Sequence, residues 1–154
     1  MKILNILLKV TIITLTISCY TIAQSKINVN HLLDYGGLKF MPNSDKPFNG
    51  KVFELYDSGR KHWEKRYIKG IANGYYRSWY KNGRLEFKGR LKQGVKNGLF
   101  TSYNEDGKKI KEAHYKADLL HGPFVLWFTN GKKNIECSYQ NGNLNMKYTS
   151  WYEN

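Results

Sequence analysis

Short runs of large apolar side chains alternate with polar, glycine-containing segments through most of this chain. The apolar runs are KVFELY, YYRSWY, LFTSYN, PFVLWF and KYTSWY, and all are rich in strand-forming residues. The first four are followed by DSG, KNG, EDG or TNG and then by a second run: RKHWEKRY, RLEFKGRL, KKIKEAHY or KKNIECSY. Asn-Gly and Asp-Gly suit a tight hairpin turn because both central residues can take positive φ. The pattern predicts four complete β-hairpins between Phe48 and Leu144 and little or no helix.

The glycines repeat with a fixed period, which predicts how the hairpins are arranged. One series is Gly50, Gly74, Gly98 and Gly122, and a second is Gly59, Gly83, Gly107 and Gly131; both have a spacing of 24 residues. Internal repetition at this period is typical of a stacked array in which each unit is one supersecondary element. We therefore predict an all-β fold, an elongated array of stacked antiparallel hairpins forming an open, single-layer twisted sheet. Both glycine series are expected to mark the turns that define the repeat.

Two columns of large side chains follow the first glycine series. Two residues beyond the glycine stand Val52, Tyr76, Phe100, Phe124 and Tyr148, and five beyond it stand Leu55, Trp79, Tyr103, Trp127 and Trp151. Simple alternation cannot put both columns on one face, so either a bulge reorients one column or both faces are partly covered. We expect Trp79, Tyr103, Trp127 and Trp151 to form an aromatic spine in the core; a recognition face is the alternative.

A column of small residues lies on the return strands. Gly89, Ala113 and Cys137 share it, and Lys65 is the exception. Small residues there suggest close approach to a neighbouring layer, and they explain Cys137 as a buried, inert thiol. The other cysteine, Cys19, lies in the leader, so no disulfide is expected within the mature chain.

The N-terminal segment has the pattern of a signal peptide. Lys2 and Lys9 flank a short basic start, VTIITLTI is a compact apolar run, and small residues precede Gln24. We expect residues 1–23 to be removed, residues 24–47 to form a leader or cap, and residues 48–154 to form four hairpins plus a half repeat. The protein is then exported, periplasmic or secreted; a lipoprotein anchored at Cys19 is the rival interpretation.

The chain is strongly basic, and part of its charge recurs with the repeat. Its formal net charge is +13, which becomes +11 when the two leader lysines are removed. Such a chain is drawn to anionic partners, of which export makes nucleic acid the least suitable. Basic residues follow every tight turn: Arg60, Lys61, Arg84, Lys108, Lys109, Lys132 and Lys133. They predict a basic stripe on one rim, which either contacts a partner or an anionic surface or is merely solvated.

Residues that would indicate catalysis or metal binding do not occur in suitable patterns. The four histidines, His31, His62, His114 and His121, lack metal-ligand spacing. Glu64, Glu112 and Glu136 recur every 24 residues, so they form a ladder that lysines can partner rather than one special carboxylate pair. The glycines belong to the hairpin repeat and form no phosphate-binding loop. We expect a protein that is not an enzyme and that has no cofactor, metal or catalytic residue.

The repeats themselves resemble a known family. NGYYRSWYKNGRLEFKGRLKQG and HGPFVLWFTNGKKNIECSYQNG resemble the variant MORN repeats of bacterial antitoxin-like repeat proteins. The resemblance covers roughly Tyr35 to Asn154 and implies hairpin arrays that serve in protein interaction or membrane-associated scaffolding rather than catalysis. The chain departs from the pattern at Lys88, which replaces the acid of the other units, and at Asp118 and Met146, where other units have glycine.

These observations lead to three functional hypotheses. The first is an exported, non-enzymatic module that binds a protein partner along its open sheet face. The second is an envelope-surface binder whose basic stripe engages anionic lipid or lipopolysaccharide. The third, which rests on the family resemblance alone, is a toxin–antitoxin or immunity role. The sequence leaves the oligomeric state open.

Overall fold

The computed structural model describes residues 26–145 and 148–153, and this part of the chain is almost entirely β-structure. Its one helical element is a 3-10 turn at Val29–His31. The strands are β1 (Lys26–Asn28), β2 (Leu33–Tyr35), β3 (Leu38–Phe40), β4 (Gly50–Leu55), β5 (Lys61–Ile68), β6 (Ile71–Trp79), β7 (Leu85–Lys92), β8 (Val95–Lys96), β9 (Gly98–Tyr103), β10 (Lys109–Lys116), β11 (Leu119–Trp127), β12 (Lys133–Gln140), β13 (Asn143–Leu144) and β14 (Thr149–Ser150). The expected signal peptide lies outside the described residues, as does Met146, so export stays a prediction.

Twelve of the strands form one open sheet. Their order is β1-β4-β5-β6-β7-β9-β10-β11-β12-β13, with β8 also paired to β7 and β14 to β12. Every pairing in it is antiparallel except that of β1 with β4. Strands β2 and β3 make a separate two-stranded sheet. The predicted all-β array of stacked hairpins is confirmed. No helix in the described part of the chain has the length and apolar character needed to cross a membrane.

The hairpin turns differ from the expected type. In each DSG, KNG, EDG or TNG turn only the glycine takes positive φ, from 78° at Gly59 to 87° at Gly83. The amide of Gly59 donates to the carbonyl of Tyr56 at 2.8 Å, and the amide of Tyr56 donates to that of Arg60. This is a type I turn closed by a left-handed glycine, so the residue before the glycine needs no positive φ.

The tight two-residue turns lie at the opposite end of the hairpins, where one repeat connects to the next. Ile68 pairs with Ile71, and only Lys69 and Gly70, both at positive φ, separate them. The same geometry recurs at residues 93–94, 117–118 and 141–142. Positive φ at both central residues is the type I′ geometry that matches the twist of the strands.

The first glycine series lies in strands and not in turns. Gly50 and Gly98 begin β4 and β9, and Gly74 and Gly122 lie inside β6 and β11. Gly74 has a φ of 114° and Gly122 a φ of 104°, and both lie where the register with the preceding strand shifts. A bulge at these points requires backbone conformations that side chains disfavour, which explains the glycines.

The core occupies one face of the sheet. Residues that pair directly across strands point to the same side, and one such set runs across the whole array. It consists of Val52, Lys65, Tyr76, Gly89, Phe100, Ala113, Phe124 and Cys137. We call its side of the sheet the core face, because Val52, Phe100, Ala113 and Cys137 are buried there. Leu32 and Phe48 from the N-terminal segment pack with Val52 and Tyr67 at one end of it.

The small residues of the core face are covered by neighbouring rings within the same sheet. A Cβ atom at Gly89 would lie 2.5 Å from the ring of Phe100. Large and small side chains alternate across the strands, so each ring lies over the small residue beside it. We expected Gly89, Ala113 and Cys137 to allow close approach of a neighbouring layer. In the described residues, the group that lies close to Gly89 is instead a side chain of the adjacent strand in the same sheet. Lys65 fits the same column because its amino group lies 4.5 Å from the Trp63 ring centroid and 4.4 Å from that of Tyr76.

Candidate binding face

The second aromatic column lies on the side of the sheet opposite the core face. The register shift near each turn places its extra residue on the return strand: Glu54 pairs with Trp63 and Leu55 with Lys61, so His62 is the extra residue. The first strand of each hairpin therefore alternates regularly, and side chains three positions apart point to opposite faces. We call the side that carries Trp79, Tyr103, Trp127 and Trp151 the open face.

None of these four aromatic residues belongs to the buried core. Trp79, Tyr103 and Trp127 are half-buried, and Trp151 is 40% exposed. We expected these four residues in the core, but the core face is formed instead by the set of residues that begins with Val52. Both faces of the sheet are thus partly covered, which is the second of the two arrangements that the odd spacing allowed.

A lysine and a glutamate accompany the aromatic column in three of the hairpins. The amino groups of Lys61 and Lys109 lie 4.7 Å and 4.1 Å from the ring centroids of Trp79 and Trp127. The equivalent Lys133 lies 5.9 Å from that of Trp151. The same amino groups bind Glu64, Glu112 and Glu136 at 3.1, 3.1 and 2.8 Å. Each lysine therefore combines a cation–π contact with an ion pair on the open face.

The Glu64 carboxylate is the most enclosed member of this ladder, with a residue exposure of 8%. Burial acts to raise its pKa, but the hydrogen bond and charge of Lys61 and the charge of Lys26 outweigh burial, so the pKa lies below its ordinary value. The neighbouring Tyr75 hydroxyl is buried without a well-formed hydrogen bond. Burial, and then the charge of Glu64, raise the pKa of Tyr75 to about 12.

The second hairpin breaks the ladder. Leu85 stands where the other hairpins have the ring-capping lysine, and Lys88 stands where they have glutamate. The Lys88 amino group lies 5.9 Å from the Tyr103 ring centroid. Beside it is an open cavity of about 320 Å³, whose lining includes Arg77, Lys88 and Arg90. The cavity lining contains no carboxylate.

The expected basic stripe takes part in holding neighbouring hairpins together. Arg60 donates to the carbonyl of Lys81, Arg84 to that of Glu105 and Lys108 to that of Thr129, each at 2.9 Å. The acceptor is always 21 residues further along, in the next turn of the same rim. At the next carbonyl of the series, that of Glu153, the donor is the side-chain amide of Asn130, as the side-chain amide of Asn82 also donates to the carbonyl of Glu105. The sequence did not reveal these contacts, because they depend on the register between adjacent hairpins.

Three of the four histidines contact neighbouring side chains or carbonyls. His62 lies 2.6 Å from a Glu54 oxygen and stacks on Tyr56, with ring centroids 4.4 Å apart. His114 contacts the carbonyl of Pro123, and His121 contacts the side chain of Asn141. Within residues 26–145 and 148–153, no three His, Cys, Asp or Glu side chains are grouped so that they could hold a metal ion.

Comparison with known proteins shows a similarity for two segments of the array. A comparison with curated protein sequences finds no match. Residues 96–117 and 120–141 match the family model described as MORN repeat variant. Repeats of this type generally serve to bind proteins or membranes, and they are typically not catalytic. The match does not extend to antitoxin activity, which stays a prediction. These two adjacent segments are therefore similar to MORN repeat variants, as the resemblance predicted.

Proposed function

We propose that this protein is an exported, non-enzymatic scaffold that binds a protein partner through its open face. The observation that carries the proposal is the position of Trp79, Tyr103 and Trp127 opposite the hydrophobic core, with each side chain still partly exposed. Large aromatic side chains aligned outside the core are uncommon on a surface that contacts only water. Such aromatic residues are typical of the central, tightly packed positions of protein–protein interfaces.

The array gives these anchors a regular spacing. Equivalent residues of successive hairpins are two strands apart, which corresponds to roughly 10 Å. Trp79 and Trp127 are each held from one side by a lysine that is itself fixed by a glutamate, as in the set Lys109, Glu112 and Trp127. A partner therefore meets a surface whose side chains are ordered before binding, which reduces the entropy lost on association.

An anionic membrane surface is the second ligand class for repeats of this type. Of the seven basic residues expected to form the stripe, six bind groups within the protein. Arg60, Arg84 and Lys108 bind turn carbonyls, and Lys61, Lys109 and Lys133 bind glutamates. The hydrogen bonds to carbonyls leave the charges of the first three in place, but the glutamates compensate those of the three lysines, so the stripe attracts an anionic surface less strongly than seven uncompensated charges would. This favours a protein partner over a membrane, and the experiment below measures binding to both.

The test compares two variants of the full-length protein. Trp79→Ala/Trp127→Ala removes two anchors of the open face. Arg60→Gln/Arg84→Gln/Lys108→Gln removes rim charge, while glutamine keeps an N–H donor for the turn carbonyls. Both are immobilised and exposed to an extract of the source cell's envelope, and both are mixed with vesicles of phosphatidylcholine and phosphatidylglycerol.

We expect the tryptophan variant to retain its partner at least tenfold less well than the native protein does, since aromatic anchors of an interface each contribute about 2 kcal/mol or more. We expect the rim variant to bind the partner as the native protein does. Salt-sensitive binding to vesicles that the rim variant loses, together with unchanged capture by the tryptophan variant, would contradict the proposal.

A further inference from the structure

The charge of the second hairpin departs from the repeat at two positions of the open face. At the position of Lys88 the other hairpins have glutamate: Glu64, Glu112 and Glu136. At the position of Arg77 the other units have an uncharged residue: Phe53, Thr101, Val125 and Thr149. Comparison of equivalent positions among the hairpins thus shows one place, in the second hairpin, where two substitutions each add positive charge.

The register brings the two changes together. Arg77 of β6 pairs directly with Lys88 of β7, and Tyr75 pairs with Arg90 one step along the same two strands. The Arg77 guanidinium carbon lies 5.4 Å from the Tyr75 ring centroid. These four side chains line the cavity of about 320 Å³, to which Asn97 and Thr101 add polar groups. We call it the basic cavity.

The positive charges of the basic cavity lack a counter-ion. Arg77, Lys88 and Arg90 form no ion pair with any described residue. Glu64, which pairs across strands with Arg77, is held instead by Lys61 at 3.1 Å and Lys26 at 3.5 Å. Like charges directly opposite each other in a sheet destabilise it. The equivalent pairs of the other hairpins each join an uncharged residue to a glutamate. At this position of the repeat the second hairpin therefore has a repulsion that the others lack, and an anion in the cavity would relieve it.

We propose that the basic cavity binds an acidic side chain, aspartate or glutamate, of the protein partner. This inference rests on the function proposed above and specifies the chemistry of that partner. Two guanidinium groups offer paired N–H donors that match a carboxylate, and Lys88 adds a third cation. Tyr103, which Lys88 approaches on the same face, offers apolar surface to the residues that flank the acid.

The surroundings of the cavity favour a single acidic residue over an anionic membrane. The same row of the open face carries glutamates on both sides: Glu64 lies beyond Arg77, and Glu112 and Glu136 lie beyond Thr101. A flat anionic surface that covers the face would meet Glu112 and Glu136, which are more exposed than Glu64, as well as the three cations. A side chain that enters the cavity meets the cations alone.

The test uses the full-length protein and a labelled oligoglutamate peptide, with an oligoglutamine peptide as the uncharged reference. Backbone amide shifts in the NMR spectrum report where the peptide binds, and fluorescence anisotropy reports how tightly. We expect shifts that concentrate at residues 75–77, 88–90 and 97–101 with oligoglutamate only.

Two variants restore the charge pattern of the other hairpins. Lys88→Glu reproduces Glu64, Glu112 and Glu136, and Arg77→Thr reproduces Thr101 and Thr149, so both fit the fold. We expect Lys88→Glu to weaken oligoglutamate binding about tenfold or more, because a charge-assisted bond is replaced by repulsion. Lys132→Glu makes the same charge change at an exposed position in the turn between β11 and β12, two hairpins from the cavity, and we expect it to change binding less than about twofold.

Equal loss of binding in Lys88→Glu and Lys132→Glu, or shifts spread evenly over the surface, would overturn the proposal. So would vesicles of phosphatidylcholine and phosphatidylglycerol that bind in a Lys88-dependent way while the peptide does not. The two levels of inference can fail separately. If partner binding requires Trp79 and Trp127 but is unaffected by Lys88→Glu, the acidic contact is wrong and the scaffold function stands. If oligoglutamate occupies the cavity but no protein partner is captured, the anion site stands and the scaffold function is wrong.

Discussion

The amino group of Lys109 lies 4.1 Å from the ring centroid of Trp127, which belongs to the strand across the next hairpin boundary. This contact joins two repeats on the open face, and it recurs between Lys61 and Trp79. It shows that side chains on the open face contribute to stacking as well as to the surface that a partner meets.

Replacement of Lys109 by methionine should lower the free energy of unfolding by about 1 kcal/mol. Methionine keeps an apolar stem against Trp127 but removes the cation–π contact and the ion pair with Glu112, each of which contributes about 0.5–1 kcal/mol at a partly exposed site. Urea unfolding followed by circular dichroism measures the loss. The matched control is Lys132→Met at an exposed position in the turn of the next hairpin, for which we expect less than about 0.5 kcal/mol. Equal losses in the two variants would show that the contact contributes nothing.

Replacement of Gly89 by alanine should destabilise the core face by about 1–3 kcal/mol, the usual range for overpacking. The added Cβ would lie 2.5 Å from the Phe100 ring, so the ring has to move. The double variant Gly89→Ala/Phe100→Leu should cost less than the sum of the two single changes, because the smaller side chain makes room. Strict additivity of the unfolding free energies would mean that Phe100 does not occupy this space.

Replacement of Ala117 by asparagine should stabilise the protein by about 0.5–1 kcal/mol. Ala117 has a φ of 50° in a two-residue turn, a conformation that asparagine adopts at lower cost than alanine. The equivalent Asn141 has the same φ, so Asn141→Ala should destabilise by a similar amount. Thermal or urea unfolding of both variants gives the comparison, and two changes of the same sign would refute the turn assignment.

Stability should fall in acid because of Glu64. The pKa of this carboxyl is lower in the folded protein than its ordinary value, so the folded state favours the charged form. The resulting stabilisation is complete above the unfolded-state pKa of about 4.3 and is lost as the pH falls through the lower, folded-state pKa. Glu64→Gln should flatten the dependence of unfolding free energy on pH below about pH 5. An unchanged slope in this variant would contradict the assignment.

The sequence contained enough information to predict the hairpins and their stacking. Glycine at a constant period of 24 residues has few physical explanations, and a turn that needs the left-handed region, such as that at Gly83, is the simplest. The basic cavity was visible in part, since Lys88 departs from the acid of the other units.

The faces and the turn types could not be predicted from spacing alone. Periodicity places Trp79 three positions after Tyr76, but it does not say which strand of the hairpin contains the extra residue of the bulge. The structure places that residue, Glu86, on the return strand, and this fixes the tryptophan on the open face. Likewise, the contact of Arg60 with the carbonyl of Lys81 depends on the stacking register of two turns, which no single repeat encodes.

The four tryptophans offer the most direct test of the claim that the open face binds a partner. Trp79, Trp127 and Trp151 lie on that face, whereas Trp63 packs against the core cluster on the other side. Oxidative footprinting, read by mass spectrometry with and without the partner, reports on both faces within one molecule. Our account predicts that binding protects Trp79 and Trp127 and leaves the oxidation of Trp63 unchanged. Protection of Trp63 while Trp79 and Trp127 oxidise as before would contradict it.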